Sequence, residues 1–371
     1  MGKAWPIFTL VFLAVVTGGG AESLSVLTYN LHGFGVEDWS TNSPQVQAIG
    51  RELRHLQPDV LTFQEVPYTN TWQMANWVVA YLPGYFLAAN SCTDGSIRSV
   101  ILSRYPIARS QSWLCHASLA GFGYSGGFTR DLFEAEIAVP GFGQPVHVFT
   151  THLKAGQDTA DSTRRAAEAS AISNFLVTVF LPAKGDRPYL LTGDLNEDIA
   201  RPPSSNPQSV QRLTSAPTGL RLTTPTNPVT RSEFTWSTQS GFAKRYDYIL
   251  PGGLLWSNLV SSQVFRSEVL ANPPPPLQAG DTVAASDHAP VVMVFRNPDN
   301  PPFRLLSIVL TNQQVILRWE SAPGRQYRVE ASSNFSTWLP LAGDLAAAGA
   351  SFTFATNGGG AMKFFRIYRT P

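Results

Sequence analysis

The chain has 371 residues, of which 43% are hydrophobic and 14% are charged, the balance of a folded protein rather than a disordered or fibrous one. This length predicts two domains. Lysine and arginine (27) nearly balance aspartate and glutamate (26), giving a net charge of +1. That balance excludes a uniformly basic surface that binds nucleic acid or anionic membranes non-specifically, so any recognition of phosphate must be local.

The N-terminus is typical of an export signal. Lys3 supplies the positive charge, residues 7–16 are apolar, and residues 18–21 are small, as signal peptidase requires. The apolar run is too short to span a bilayer, and no later segment reaches 18 uninterrupted apolar residues. We therefore expect a signal peptide over residues 1–21 and a secreted, periplasmic or extracellular mature chain without a transmembrane segment.

The chain has two cysteines, Cys92 and Cys115, whose spacing is not that of a zinc or iron–sulfur site. In an exported protein they are expected either to form one disulfide bond or to remain two buried thiols. The sequence leaves both possibilities open.

Short runs rich in Val, Ile, Leu, Phe and Thr, bounded by Gly, Pro or Asn, predict core strands in the first 296 residues. These runs span residues 24–29, 60–63, 99–103, 132–139, 146–150, 189–192, 246–250 and 291–295. Ser43 and Pro44 precede apolar residues at helical spacing, and a second helix is predicted from about Thr163 to Phe180. Strands interspersed with helices predict a layered α/β sandwich.

A proline-rich segment over residues 297–302 cannot continue a strand and is expected to link a C-terminal module, residues 303–371. Alternating apolar residues, as at Val315, Leu317 and Trp319, predict a small antiparallel β-sandwich there. The module has seven basic and three acidic residues, a net charge of +4. We expect an accessory module that binds a surface or polymer and carries no chemistry of its own.

Polar residues recur where the predicted strands end. One such residue is ordinary, because caps and turns need polar side chains. Several strand ends that deliver carboxylates, amides and imidazoles to one edge predict a single polar site above an apolar scaffold. The residues concerned are Asn30, Glu65, His152, Asp194, Asn196, Asp247, Asp287 and His288.

These segments, in this order, resemble the endonuclease/exonuclease/phosphatase superfamily, and GDLN (193–196) and SDHAP (286–290) are the most specific of them. The resemblance covers about residues 24–296. It implies a four-layered α/β sandwich with two central, mainly antiparallel sheets, as in deoxyribonuclease I, and hydrolysis of phosphate esters with a divalent metal. The superfamily also includes abasic-site endonucleases, sphingomyelinases and inositol-polyphosphate phosphatases, so the resemblance leaves the substrate open.

The resemblance also implies roles for the metal ligands and the base. Glu65 corresponds to the principal metal carboxylate, with Asn30 and Asp287 beside it. Oxygen ligands without thiolate favour Mg²⁺, with Mn²⁺ or Ca²⁺ as alternatives. Asp194 resembles the residue that positions and deprotonates the attacking water, and Asn196 would orient Asp194 or the phosphate.

The remaining roles concern the phosphate. His288 and Asp247 resemble the family's His–Asp pair, in which the carboxylate orients the ring and favours its charged form. His152 would be a second donor to the phosphate, and Arg130 matches the phosphate-facing arginine. His32 stands where abasic-site endonucleases have an acidic metal ligand, which argues against that branch and favours a solvated loop histidine.

Three interpretations follow. The leading one is a secreted, monomeric, metal-dependent nuclease or related phosphodiesterase that acts on DNA or RNA. A sphingomyelinase-like phospholipid hydrolase would need an exposed apolar hairpin; residues 254–256 are the one candidate, and we expect them to pack in the core. A non-catalytic polyanion-binding protein would use the basic C-terminal module, but the presence of Glu65, Asp194, Asp247 and His288 together speaks against it.

Overall fold

The computed structural model describes residues 13–15, 21–33, 38–40, 42–68, 71–185, 187–200, 208–238, 241–299, 303–358 and 364–370. The chain divides into two units. The larger unit is Ser23–Arg296, and the described residues at the two ends of the chain form the smaller one. Lys3 and residues 18–20 of the predicted signal peptide, and residues 300–302 of the predicted linker, lie outside the described residues.

The helices and strands are numbered in chain order. The strands are β1 Leu13–Val15, β2 Ser23–Asn30, β3 Val60–Pro67, β4 Phe86–Ala89, β5 Ile97–Ser103, β6 Ile107–Trp113, β7 Leu132–Ile137, β8 Val146–His152, β9 Tyr189–Asp194, β10 Trp236–Thr238, β11 Gly241–Lys244, β12 Asp247–Pro251, β13 Leu259–Val264, β14 Val291–Arg296, β15 Leu305–Thr311, β16 Gln314–Glu320, β17 Gln326–Ser332, β18 Leu339–Ala346, β19 Ser351–Asn357 and β20 Phe364–Thr370. The helices are α1 Pro44–Leu56, α2 Thr71–Tyr81, α3 Thr159–Phe175, α4 Leu181–Lys184, α5 Ser209–Leu213, α6 Gly253–Trp256 and α7 Asp281–Ala285. A π-helical segment, Leu176–Phe180, joins α3 to α4, and 3₁₀ turns cover Ala120–Phe122, Ala216–Thr218 and Ser267–Val269.

Two sheets form the centre of the larger unit. One has six strands in the order β13-β14-β2-β3-β5-β4, and the other has five in the order β12-β9-β8-β7-β6. Each sheet has one parallel pair, β2 with β3 and β8 with β9, and its other pairs are antiparallel. Apolar residues of α1 and α2 pack on the first sheet, and those of α3 pack on the second. The predicted four-layered sandwich is confirmed.

Polar side chains link the inner faces of the two sheets. The Thr192 hydroxyl donates to the Thr62 hydroxyl at 2.8 Å, and Gln64 Nε2 donates to Thr150 Oγ1 at 3.0 Å. All four side chains are buried. Because a buried hydrogen bond is lost if either partner shifts, these bonds fix the lateral position of one sheet against the other directly beneath the strand ends that carry the site.

The predicted core strands are all present, whereas β4, β6 and β13 of the two central sheets were not predicted. These three are edge strands of their sheets. An edge strand is only partly covered, so it tolerates polar residues, and β6 (IARSQSW) and β13 (LVSSQV) consequently lack the apolar runs of a central strand. The second helix begins at Thr159 rather than Thr163, because the Asp158 side chain accepts the Asp161 N–H and caps it.

One helical stretch of the described residues, Thr159–Lys184, is long and apolar enough to cross a membrane by length and composition. Half of its most apolar window is buried. Ile172, Leu176 and Phe180 belong to the core cluster with Phe149 and Leu191 of the second sheet. Packing against the sheet therefore accounts for the apolarity of this stretch.

Cys92 and Cys115 form a disulfide bond, with their Cα atoms 5.8 Å apart. Cys92 follows β4 at the edge of the first sheet, and Cys115 follows β6 at the edge of the second. The bond therefore joins the edges of the two sheets, and the alternative of two free thiols is wrong for this structure.

The smaller unit is all β. Its sheets are β15-β16-β19 and β1-β20-β17-β18, and Leu317, Trp319, Tyr327, Val329 and Phe365 lie in the core that they share. The predicted small β-sandwich is confirmed. Strand β1 pairs in parallel with β20 and lies within the predicted signal peptide, so cleavage after residue 21 would make β20 an edge strand.

Glu52 on α1 predicts a pH-dependent stability. Its carboxylate is fully buried and accepts hydrogen bonds from the hydroxyls of Tyr29 and Thr282. Burial raises the pKa of Glu52 to about 8, above the value of about 4.3 in an unfolded chain. The folded state therefore binds the extra proton, and the stability that this proton contributes is present below pH 4 and lost as the pH rises towards 8.

We expect Glu52→Gln, which keeps the shape and an acceptor oxygen, to remove a slope of up to about 1.4 kcal/mol per pH unit between pH 5 and 8. Unfolding free energies from urea titrations of both proteins at these pH values measure the slope. Equal slopes for the variant and the parent protein would show that Glu52 does not carry this dependence.

Candidate active site

The predicted polar residues lie close together where several strands of the two sheets end or begin, at the same end of both sheets; this end is called the site edge. His152 and Asp247 are both register partners of Asp194, because the parallel strands β8 and β9 end where the antiparallel strand β12 begins. Asn30 ends β2, and Glu65 lies near the end of β3. A cleft of about 510 Å³ lies at this edge, lined among others by Glu65, Arg130, His152, Asp194, Asn196, Asp287 and His288.

The backbone is strained at this edge. His32, Glu65 and Asn196 have φ angles of 47°, 57° and 51°, in the left-handed region that non-glycine residues rarely adopt. A bulge in β3 between Phe63 and Val66 changes the direction in which Glu65 leaves the strand. Such conformations are costly and cluster at functional sites, where the surrounding structure holds them.

Two glycines allow the close approach of these strands. A Cβ atom on Gly33 would collide with the carbonyl oxygen of Glu65, so the bulge can pack here only against glycine. Gly193 has a φ of 139°, and a Cβ there would collide with the carbonyl oxygen of Thr151. The glycine of the GDLN motif thus places Asp194 beside His152.

Asn30 holds two carboxylates together. Its Nδ2 donates to Glu65 Oε1 at 3.1 Å and to Asp194 Oδ2 at 2.9 Å, while its Oδ1 accepts the backbone N–H of His32 at 2.9 Å. The donor from His32 fixes which end of the amide is oxygen. Asn30 therefore lies beside Glu65 as expected, but it presents its nitrogen to the carboxylates and is fully buried behind the cleft.

His288 and Asp247 form the predicted pair. His288 Nδ1 lies 2.7 Å from Asp247 Oδ2, and His288 Nε2 lies 3.8 Å from Asp194 Oδ2. Burial by itself lowers the pKa of the ring, but the charge and hydrogen bond of Asp247, with further charge from Asp194 and Asp287, outweigh burial and raise the pKa to about 10. The imidazole is therefore a cation at neutral pH, with Nε2 directed towards Asp194.

Asp194 is buried at the wall of the cleft, where polar groups surround its carboxylate. Its Oδ1 accepts the backbone N–H of Asn196 at 2.8 Å, and its Oδ2 lies 3.5 Å from His152 Nε2. Burial, with the nearby charge of Asp247, raises the pKa of Asp194 to about 7 against the lowering effects of His288 and the hydrogen bonds. A carboxylate with a pKa near neutrality is suited to accept a proton from water.

His152 is a neutral imidazole. Burial, together with the positive charges of Arg130, His288 and Lys154, lowers its pKa well below the usual value. Its Nε2 lies 3.9 Å from Glu65 Oε1, and neither ring nitrogen has a hydrogen-bond partner among the described residues. A buried ring without partners at the wall of the cleft is suited to receive a ligand atom.

The carboxylates on the cleft fit a hard divalent cation. Asp287 Oδ2 accepts the indole N–H of Trp236 at 3.1 Å, and Asp287 Oδ1 is buried without a hydrogen-bond partner among the described residues. Glu65 lines the same cleft. Asp287 Oδ1 lies 3.5 Å from His32 Nδ1 and 4.0 Å from His288 Nε2. Oxygen donors of this kind match the ligand preference of Mg²⁺, and Mn²⁺ or Ca²⁺ accept the same donors.

Arg130 lines the cleft but is already paired. Its Nη2 lies 2.8 Å from Asp94 Oδ2, and its Nη1 donates to the backbone carbonyl of His152 at 3.1 Å. Asp94 follows Cys92 of the disulfide by two residues. Sequence reasoning missed this partner, because the SCTDGS segment indicates only a turn.

An aromatic wall of the cleft was also missed. Trp236 and Tyr246 stack with ring centroids 5.1 Å apart, and Lys244 Nζ lies 5.7 Å from each ring. All three residues line the cleft. The sequence of their segment is typical of an ordinary strand and turn. The one feature that could have indicated a role at the site was the position of Tyr246 directly before Asp247.

Comparisons with known proteins identify the architecture. The model of the Endonuclease/Exonuclease/phosphatase family matches residues 27–288. A humanized D. rerio TDP2 is 16% identical with a TM-score of 0.52, over 74% of this chain and 100% of that one. An endonuclease/exonuclease/phosphatase from Bacteroides vulgatus is 18% identical with a TM-score of 0.52, over 74% and 99%.

A D. rerio TDP2 complexed with single strand DNA product is 15% identical with a TM-score of 0.50, over 74% of this chain and 100% of that one. No curated protein matches the sequence. At these identities the similarity to solved structures shows the fold alone.

Proposed function

Because the chain belongs to the endonuclease/exonuclease/phosphatase family of divalent-metal-dependent phosphoesterases, we propose that it is a phosphodiesterase that hydrolyses nucleic acid. The observation that carries the proposal is the convergence of a charged His288, a buried Asp194 and the carboxylates of Glu65 and Asp287 on one cleft. This set can activate water and stabilise negative charge at a single phosphorus atom.

The proposed chemistry assigns one task to each group. Asp194, oriented by Asn30 and the Asn196 backbone, takes the proton from the attacking water. The His288 imidazolium, oriented by Asp247, donates a hydrogen bond to a phosphoryl oxygen as charge develops there. Glu65 and Asp287 would hold the cation, which when bound neutralises charge on the phosphoryl group.

Nucleic acid is favoured as the substrate because of the aromatic wall formed by Trp236 and Tyr246. Aromatic faces stack on unpaired bases regardless of sequence, and the ammonium of Lys244 adds a positive charge beside them. The TDP2 structure with single strand DNA product shows that another protein of this fold accommodates such a strand. An unpaired DNA or RNA strand is therefore the proposed substrate.

Among the described residues, the apolar segment considered for the phospholipid alternative does not lie at the cleft. Residues 254–256, the candidate apolar hairpin, belong to the short helix α6. The expectation that they pack in the core holds for Leu255 but is wrong for Leu254 and Trp256, which are 41% and 40% exposed. Asp247, at the cleft, begins β12, and helix α6 follows the other end of that strand. These apolar residues therefore follow the end of β12 that is farther from the cleft.

The test of the proposed function is a hydrolysis panel on purified protein with Mg²⁺. The substrates are single-stranded DNA, RNA, plasmid DNA, sphingomyelin and inositol phosphates. We expect cleavage of a polynucleotide and no release of phosphocholine from sphingomyelin. Hydrolysis of sphingomyelin with no cleavage of any polynucleotide would overturn the proposal.

The C-terminal module is proposed to serve attachment rather than chemistry. Truncation after Asn297 is expected to preserve kcat for a small soluble phosphodiester, because every proposed catalytic group lies within Ser23–Arg296. The loss of the module, residues 303–371 with a net charge of +4, should weaken retention on anionic polymers at low salt. Kinetics of the folded truncation, verified by circular dichroism, measure this, and a folded but inert truncation would contradict it.

Export also belongs to the proposal. The mature chain is expected to begin near Glu22 and to act outside the cytoplasm as a monomer. The intact mass of the protein recovered from an export-competent host tests the cleavage site, and light scattering on the same sample tests the monomer. Recovery of the uncleaved chain from the cell interior would contradict export.

A further inference from the structure

A second cavity adjoins the catalytic cleft. It has a volume of about 450 Å³ and shares His32 and Asp287 with the cleft. A volume of this size lies within the range of small-ligand sites, about 300–1,000 Å³. Because Asp287 is a proposed metal ligand that lines both cavities, the second cavity lies beside the catalytic centre. The two cavities together are called the groove.

An arginine stacked on an aromatic ring forms one wall of this second cavity. The guanidinium carbon of Arg266 lies 4.3 Å from the ring centroid of Phe242, and Arg266 Nε donates to Glu268 Oε1 at 2.6 Å. Stacking and hydrogen bonding together fix the plane of the guanidinium. Val283, Ala284 and Ala285 of α7 also line the cavity and make part of it apolar.

This wall presents both donors and an acceptor. The two Nη atoms of Arg266 make no hydrogen bond to the described residues, so their N–H groups remain available. Glu268 Oε2 is buried and has no hydrogen-bond partner among those residues. A buried acceptor without a partner is costly, and a ligand that supplies an N–H would remove this cost.

We propose that the second cavity is a subsite for an unpaired nucleobase that flanks the scissile phosphate. A nucleobase has an apolar face for Phe242 and α7, and an edge that carries an amino donor for Glu268 beside acceptors for Arg266. An acyl chain would leave Glu268 Oε2 and the two Nη atoms of Arg266 without hydrogen-bond partners, and a free phosphate would face the Glu268 carboxylate. The subsite rests on the proposed function, because it requires a polynucleotide in the groove.

The experiment uses the full mature chain and two substrates. One is a single-stranded oligonucleotide, in which an abasic residue replaces in turn each nucleotide that flanks the cleaved bond. The other is bis(4-nitrophenyl) phosphate, which has no base. Phe242→Leu removes the aromatic face, and Glu268→Gln removes the charged acceptor. Neither residue belongs to the proposed catalytic groups.

We expect each variant to raise KM for the intact oligonucleotide by about tenfold, the order expected for loss of a base contact. kcat/KM for bis(4-nitrophenyl) phosphate should be unchanged. One of the two abasic positions should raise KM of the parent protein similarly, and this effect should vanish in the variants. Phe86→Leu, a partly exposed phenylalanine of β4 outside the groove, is the matched control.

Other outcomes overturn the subsite. Equal KM values for intact and abasic oligonucleotides, or equal losses on both substrates, would show that no base is bound there. An effect of Phe242→Leu on sphingomyelin hydrolysis alone would assign the cavity to a lipid. Failure of the proposed function is distinct, because the parent protein would then cleave no oligonucleotide, whatever its activity on bis(4-nitrophenyl) phosphate. Melting temperatures verify that each variant is folded.

Discussion

Replacing His288 with alanine is expected to lower kcat by about 10²- to 10⁴-fold without unfolding the protein. The ring lies 2.7 Å from Asp247 and 3.8 Å from Asp194, and its raised pKa keeps it charged well above neutral pH. A fixed cation at this position stabilises charge that develops on the phosphoryl group. The variant lacks that cation, so the loss should fall on kcat more than on KM.

Asp247→Asn should cause a similar loss, because the ring would lose the carboxylate that orients it and keeps it charged. The double variant should be scarcely worse than either single one, since residues that act as a unit are not additive. Steady-state kinetics and melting temperatures of the three variants measure this. A well-folded His288→Ala protein with near-normal kcat would remove His288 from the proposed chemistry.

The second large effect is expected from Glu65→Gln. Glutamine preserves the volume and an oxygen that can accept from Asn30, so the strained β3 bulge should persist. The negative charge that attracts the cation is lost. We expect the Mg²⁺ concentration for half-maximal activity to rise by at least tenfold, since even the partners of metal ligands contribute about 10- to 100-fold.

A binding readout separates this effect from catalysis. Mn²⁺ binding followed by electron paramagnetic resonance should weaken in Glu65→Gln and remain unchanged in Glu136→Gln, a carboxylate of β7 outside the cleft. Unchanged Mn²⁺ affinity in a folded Glu65→Gln protein would assign the metal to other ligands.

Much of the fold could be predicted because its central strands are covered on both faces. β2, β3, β8 and β9 are largely apolar runs. β2, β8 and β9 end in a polar residue, and β3 has Glu65 two residues before its end, so the pattern indicates both the strand and its functional end. Edge strands such as β6 carry no such pattern. The start of α3 depended on the cap at Asp158, which a helical period alone does not locate.

The candidate site was predictable in its members but not in its contacts. GDLN and SDHAP identify Asp194 and His288, because these two segments are the most specific parts of the resemblance to the family. The direction of the Asn30 amide depends on the His32 backbone, and the pairing of Arg130 depends on Asp94 of a loop 36 residues away. Such contacts arise only when distant segments pack, and no local pattern encodes them.

The most direct measurement is the cleavage of a single-stranded oligonucleotide by the metal-stripped protein as Mg²⁺ is added back. If Glu65 and Asp287 hold a hard cation beside the scissile phosphate, turnover should be absent in excess EDTA and should return in proportion to Mg²⁺ occupancy. Undiminished turnover in excess EDTA, with residual metal verified as negligible, would contradict a metal-dependent phosphodiesterase.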